Sequence, residues 1–266
     1  MERLELNGIP VRVARSGPAG APAVLLLNSL ASDLTMWDGV APVLARGHDV
    51  IRFDARGHGG TGATGGDYTL DLLMADALAV MDALAVDRAH VVGLSLGGMV
   101  AQLMAARAPA RVGRLVLCAT FADSPRDLWA GRVAEARAQG LSGLVEGTLD
   151  RWFTPAFRAA EPALVDRVRA MILGTSAAGY AGAAAAIRDM DLTGVPEAIG
   201  CPTLLIAGAG DPSAPPAAMR ALQARIPGAD YAEIAHSAHL FTLERPDAAA
   251  DLIAGFLTRP GGAERT

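Results

Sequence analysis

Three residue types that together can open an acyl bond stand far apart in this chain, in the order serine, aspartate, histidine: Ser95, Asp211 and His239. Ser95 is the centre of Gly93-Leu94-Ser95-Leu96-Gly97, a G-x-S-x-G pattern with a strand-like run before it and a helical run after it. On such an elbow the backbone is strained and the hydroxyl is lifted out beside the unpaired N–H groups of a helix start, where negative charge is favoured. Gly93 and Gly97 are needed because side chains there would collide in so tight a turn, and Gly98 lets the helix lie close on the sheet.

A serine hydroxyl needs a base. Five histidines are available: His48, His58, His90, His236 and His239. His239 stands after the last predicted strand and before the last helix, and the run His239-x-x-x-x-Glu244-x-Pro246 fixes the distance from loop to helix start. His236, in the same loop, is its main competitor. His58, within Arg56-Gly57-His58-Gly59, reads as a residue that holds a loop, and His48 and His90 read as surface or turn residues. The orienting carboxylate is expected from Asp211, in the tight turn Gly208-Ala209-Gly210-Asp211-Pro212, where it would hold the imidazole tautomer and stabilise the imidazolium. Asp123 is the alternative acid. Asp54 also ends a strand, but Asp54-x-Arg56-Gly57 reads as a structural turn with an internal ion pair. Two backbone N–H groups should receive the oxyanion. One is that of Leu96, directly after the serine. The other is that of Leu30, in the loop Asn28-Ser29-Leu30, where Asn28 and Ser29 shape the loop. Each such donor is typically worth about 3 kcal/mol in the transition state.

The elements that must position these groups alternate. Strand-like runs at Val24–Leu27, Val50–Phe53, His90–Leu94, Leu115–Ala119, Thr203–Ala207 and Tyr231–Ile234 are interleaved with helical patterns at Thr69–Leu84, Gly97–Arg107, Ala217–Ile226 and Pro246–Leu257. Near-continuous apolar strands joined by helices predict a mostly parallel sheet with helices on both faces. Asn7-Gly8, between Glu2–Leu6 and Pro10–Arg15, predicts a hairpin adding an antiparallel edge. The stretch 123–196 carries helical patterns and no convincing strand, and reads as a lid inserted between core segments 1–122 and 197–266. The tail from Pro260 to Thr266 is expected to fray.

Composition narrows the chemistry. All 23 basic residues are arginine and none is lysine, which excludes a Schiff base, a P-loop lysine and Ser-x-x-Lys acylation. A net charge of −5 argues against a nucleic-acid partner. The mean hydropathy of +0.30 reflects alanine, and no run of about 20 apolar residues would span a membrane. Without a basic-then-apolar leader, a cytoplasmic location is expected. Cys118 and Cys201 read as buried, reduced thiols, too few and too far apart for a structural zinc site. No metal or cofactor is called for.

The elbow, Asp211 and His239 resemble the α/β-hydrolase superfamily, and the order serine, acid, histidine is its order. Within it the chain is similar to the 3-oxoadipate enol-lactonases of the β-ketoadipate route of aromatic catabolism. The stretches that carry this are Asn28-Ser29-Leu30-Ala31-Ser32-Asp33-Leu34-Thr35-Met36-Trp37, Asp54-Ala55-Arg56-Gly57-His58-Gly59, the elbow, Arg151-Trp152-Phe153-Thr154, Gly179-Tyr180-Ala181, Ala186-Ile187-Arg188-Asp189-Met190-Asp191 and Asp211-Pro212-Ser213-Ala214-Pro215-Pro216. The chain departs from the pattern at Ala31, where glycine is expected, and after His239. In some bacteria the family is fused to a decarboxylase domain, which is not expected here. The resemblance implies opening of an unsaturated lactone with an acetate arm through an acyl-enzyme, so the partner is a small, anionic lactone or ester. Arg132, Arg151 and Arg188 are the candidate cations, each weighed against a solvated helix surface, and Trp129 and Trp152 are lid core or pocket wall. Other carboxylesterases and lactonases, cofactor-free perhydrolases and carbon–carbon hydrolases share the same three residues, and a non-catalytic receptor for a small carboxylate is the reading from outside enzymes.

Overall fold

Hydrogen bonding between short, apolar runs builds one eight-stranded sheet, and the computed structural model describes it over residues 1–259. The tail expected to fray lies outside the described residues. The strands are β1 (Glu2–Leu6), β2 (Ile9–Ser16), β3 (Ala23–Leu27), β4 (Asp49–Phe53), β5 (Ala89–Leu94), β6 (Val112–Cys118), β7 (Thr203–Gly208) and β8 (Asp230–Ile234). Their order is β1-β2-β4-β3-β5-β6-β7-β8. From β4 onward every pairing is parallel, while β1 and β2 form the antiparallel edge. The hairpin turns at Asn7 and Gly8, both at positive φ (48° and 78°), as the Asn-Gly signal requires. β3, β5 and β7 are buried almost end to end, the mark of strands covered on both faces.

The helices follow from capping and periodicity. After α1 (Ala41–Leu44), α2 runs Leu70–Ala83, and the Thr69 side chain caps it by accepting the Leu72 N–H at 3.1 Å. Leu70, Leu73, Ala77, Val80 and Met81 form its buried stripe. α3 (Leu96–Arg107) starts at the elbow and is buried almost all round between β3, β5, β6 and α2. α9 (Pro216–Arg225) packs on β7, and α11 (Pro246–Leu257) packs on α1 and on the short α10 (Phe241–Glu244).

Between β6 and β7 the chain leaves the sheet for α4 (Arg126–Gln139), α5 (Val145–Trp152), α6 (Pro155–Ala160), α7 (Pro162–Leu173) and α8 (Ala177–Arg188). Alanines along α8 let α4 pack closely on it. Gly179 of α8 in turn meets Gly57, so closely that a Cβ on Gly57 would lie 2.3 Å from the Gly179 Cα. Ser176 donates its N–H to Gly57 O at 3.2 Å, and Tyr68 its N–H to Gly182 O at 3.1 Å. This end of the helical segment is therefore fixed to the sheet domain. Among the described residues no single helix is long and apolar enough to cross a membrane.

Two expectations need correction. Asp54 and Arg56 do not pair with each other. Asp54, fully buried, holds Arg12 and accepts the N–H groups of Leu34 and Gly60, each at 2.7 Å. Arg56 instead grips Asp76 of α2 through two bonds of 2.8 and 2.7 Å, and Asn7 completes that pair at 2.9 Å. The pairing of β2 with β4 brings Arg12 to Asp54, and the packing of α2 brings Asp76 to Arg56, and these partners win over the local one. Nor are His48 and His90 surface residues, although His48 does stand in the turn before β4. His48 is buried, and His90 lies within β5, half-buried, with its ring 6.0 Å from that of His48.

Burial, then the charges of His48, Arg114 and Arg88, push the His90 imidazole down to about 4. Unfolded, it would take up a proton near 6.5, so between those values the unfolded chain binds the proton that the folded chain refuses. The stability this contributes is complete above pH 6.5 and is lost as the pH falls towards 4. His58, fully buried, acts in the same direction. His90→Gln should flatten the decline of Tm over this interval, measured by circular dichroism; an unchanged slope would show that His90 does not set it.

Candidate active site

Ser95 sits at φ 55°, ψ −113°, the conformation that throws its side chain out at the junction of β5 and α3. A non-glycine residue in so sparsely populated a region costs of order 1–3 kcal/mol and persists only where its surroundings hold it. Those surroundings are on three sides. The Ser95 N–H donates to Cys118 O at the end of β6 (2.9 Å), and its carbonyl accepts from the Thr120 hydroxyl (2.8 Å) and from Met99 N–H (3.0 Å). The glycines around it leave no room: a Cβ on Gly93 would lie 2.2 Å from Gly97 O, and one on Gly97 would lie 2.3 Å from Leu27 O. Gly98 faces Thr120, 2.6 Å from where its Cβ would stand.

The loop after β3 is tied to the same turn. Gly97 donates its N–H to Asn28 O at 3.0 Å. The Asn28 amide spans two further elements, donating to Phe53 O (2.8 Å) and accepting from Trp37 Nε1 (2.9 Å). Asn28 thus shapes the loop that presents Leu30. Ala31 beside it has φ 61°, the left-handed region that glycine enters without a Cβ penalty, which is the physical reason for expecting glycine there. Leu96 is the first residue of α3, so its N–H has no acceptor within the helix.

His239 and Asp211 come together from separate strand ends. His239 Nδ1 lies 2.7 Å from Asp211 Oδ2, and the other carboxylate oxygen accepts the Ser213 N–H at 2.7 Å. Both side chains are buried. The competing residues do not make this pair: His236 is exposed, at φ 53°, and Asp123, although it lines the cavity described below, is exposed and near Arg225 at 3.6 Å.

Ser95, His239 and Leu30 line one cavity of about 430 Å³, whose opposite wall comes from the helical segment through Trp129, Arg132, Arg151 and Trp152. Arg132 stacks over Trp129, 4.5 Å from the ring centre, and Arg151 donates to Thr148 Oγ1 at 3.1 Å. Among the described residues neither guanidinium has a carboxylate within 4.0 Å. Burial, then the Arg132 charge, lower the pKa of Arg151. Arg188, the third candidate, is corrected: it does not line the cavity but pairs with Asp67 and Asp189 on the outside of α8. Sequence reasoning did not assign Tyr180, Phe121 and Leu222 to the site, though they line the cavity, nor Arg225, which lines it while paired with Glu197. Only Tyr180 carried a signal, as an aromatic residue among the alanines of α8. Burial raises its pKa against the opposing Arg132 and Arg151 charges.

A hydroxyl on a strained helix start and an imidazole held by a buried carboxylate, both lining one cavity, can accept and release an acyl group. The comparisons with known proteins agree with this class. Residues 22–246 match the family model of the alpha/beta hydrolase fold, and the chain belongs to that family. It is 31% identical to 3-oxoadipate enol-lactonase 2 of Acinetobacter baylyi over 93% of this chain and 92% of that one. Among solved structures it is similar to the enol-lactonase from Burkholderia xenovorans LB400, with a TM-score of 0.94 and 36% identity over 97% of this chain and all of that one. It is also similar to a thermophilic esterase from Thermogutta terrifontis solved with malate bound, with a TM-score of 0.91 and 28% identity over 97% and 98% of the two chains.

Gly97→Ala should push the elbow away from the β3 loop, since the atom in the way is backbone. Expected are a loss of about 2–3 kcal/mol in stability and roughly a hundredfold loss in turnover. Chemical denaturation and initial rates measure both, and an unchanged midpoint would mean that the turn has slack.

Proposed function

We propose that this chain is a serine hydrolase that opens a lactone or ester through an acyl-enzyme, with the enol-lactone of 3-oxoadipate as its substrate. The observation that carries this reading is the 2.7 Å His239–Asp211 pair on the wall of the cavity that holds Ser95 and two arginines without carboxylate partners. Ser95 Oγ attacks the ring carbonyl as His239 takes its proton, and Asp211 stabilises the imidazolium. The tetrahedral oxyanion is received by the N–H groups of Leu30 and Leu96. Collapse breaks the ring C–O bond, and the enol oxygen leaves with the proton from His239 while staying tethered in the acyl-enzyme. His239 then activates water, which releases the acid and restores Ser95, and the enol ketonises.

Arg132 and Arg151 hold the carboxylate arm in this reading, with guanidinium forks that suit a carboxylate in two-point contact. The relatives reported as enol-lactonases support the substrate, and the malate held by the Thermogutta esterase supports a small acid. Residues 123–196 act as a cap on a core made of 1–122 and 197–266, which the cavity supports by taking its walls from both. The unpaired thiols Cys118 and Cys201 support a reducing, cytoplasmic setting.

Ser95→Ala should cost about six orders of magnitude in turnover; lactone opening at a near-normal rate would end the mechanism. A panel of esters and lactones, matched in size and differing in charge, tests the arginines. Arg132→Ala and Arg151→Ala should raise KM for anionic members selectively, while Arg188→Ala leaves their KM unchanged. Equal losses on neutral members would remove the enol-lactone and leave the hydrolase.

A further inference from the structure

Glu244 is a buried carboxylate, 2% exposed, that the proposed chemistry does not use. One oxygen, Oε2, accepts the N–H of Ala238, the residue before His239, at 2.8 Å. The other, Oε1, accepts the N–H of Thr154 at 3.2 Å and the Thr154 hydroxyl as well. Among the described residues no cation lies within 4.0 Å of it. A second bond runs beside it, from Leu240 N–H to Trp152 O at 3.0 Å. The loop that carries His239 is therefore joined on one side to the helical segment, at Trp152–Thr154, and Trp152 lines the cavity. Its other side is pressed on the loop of Asp211: Gly210 donates to Ser237 O at 2.8 Å, and a Cβ on Gly208 would lie 2.1 Å from Ala238 O.

We propose that Glu244 is a positioning residue, which sets the His239 imidazole and the Trp152 wall of the pocket as one unit. The proposal rests on His239 acting as the base for Ser95. The chemistry of the contact explains why the residue is glutamate. Two main-chain N–H groups point at two different oxygens, and an amide has one acceptor oxygen and one donor nitrogen. Glutamine would set its NH₂ against one of those N–H groups, whichever way it turned. Loss of the Ala238 bond would let the loop drift beneath the imidazole. Loss of the Thr154 bonds would let the pocket wall move away from it. One carboxylate thus couples proton transfer to substrate fit.

The test compares Glu244→Gln, Thr154→Val and Thr154→Ser with the unaltered chain. Readouts are kcat and KM on an anionic lactone, the rate of Ser95 phosphonylation by a fluorophosphonate, and the downfield proton resonance of the His239–Asp211 hydrogen bond. Glu244→Gln should lower kcat and the phosphonylation rate by roughly tenfold to a hundredfold, raise KM and broaden or shift the resonance. Thr154→Val, which keeps both main-chain bonds to Glu244, should act in the same direction by severalfold, and Thr154→Ser should restore all four readouts. It keeps the proposal testable if Glu244→Gln does not fold. A folded Glu244→Gln with a lower Tm but unchanged kcat and resonance would reduce Glu244 to a structural role and overturn the proposal, as would a Thr154→Val indistinguishable from the unaltered chain. A Ser95→Ala or His239→Ala that still turns over would overturn the underlying reading instead, and the resonance separates the two, since it reports the position of the imidazole whether or not the protein catalyses.

Discussion

The turn at Ser95 holds a backbone conformation that serine does not adopt unaided, and much of the sheet is arranged to keep it there. The constraint is steric before it is chemical. Gly93 and Gly97 place bare backbone against bare backbone, with Leu27 O closing one side and Cys118 O holding the Ser95 N–H on the other. These contacts need β3, β5 and β6 adjacent and parallel, in the register that the sheet shows. The same arrangement brings the β3 loop to the helix start, because Asn28 bonds Gly97, the end of β4 and Trp37 together. Strain at one residue is thus tied to the order of three strands and to the position of Leu30.

Charge is distributed to the same end. On the outer face of the helical segment Arg126, Arg137, Arg158, Arg169 and Arg188 each have a carboxylate close by. These exposed pairs contribute little stability individually. Arg132 and Arg151 differ: both line the cavity, and burial, then the Arg132 charge, lowers the pKa of Arg151. In the proposed reading a bound carboxylate would offset both. In a chain without lysine, the charge is carried by groups that do not deprotonate in the working range and that stack on tryptophan, as Arg132 does.

Much of this was legible in the sequence where the signal is local. Strand and helix alternation, the Asn7–Gly8 hairpin and the helix starting at Pro246 depend on neighbours a few residues apart, and the structure places them within a residue of their expected bounds, except that β6 starts three residues earlier, at Val112. The elbow is local as well, and so is the spacing from His239 to Glu244 that favoured it over His236. What sequence did not show depends on sheet order and on packing. Arg12 meets Asp54 because β2 and β4 are neighbours in the sheet, and Arg56 meets Asp76 because the loop after β4 lies against α2. Arg188 was misread because a cation near the end of a helix gives no sign of which way it faces. Tyr180 and Leu222 enter the cavity from α8 and α9, whose relation is set by tertiary packing alone. Glu244 was visible as a spacer, but its partner Thr154 is 90 residues away.

The central claim is that the Ser95 oxygen forms a bond to the carbonyl carbon of a ring. Rapid quenching during turnover of a slowly hydrolysed lactone, followed by intact mass and peptide mapping, measures that bond directly. A lactone sheds no separate leaving group on attack, so the adduct should equal the full mass of protein plus lactone and should map to the peptide that carries Ser95. An adduct on any other residue, or steady turnover through quench times with no adduct at all, would contradict the account.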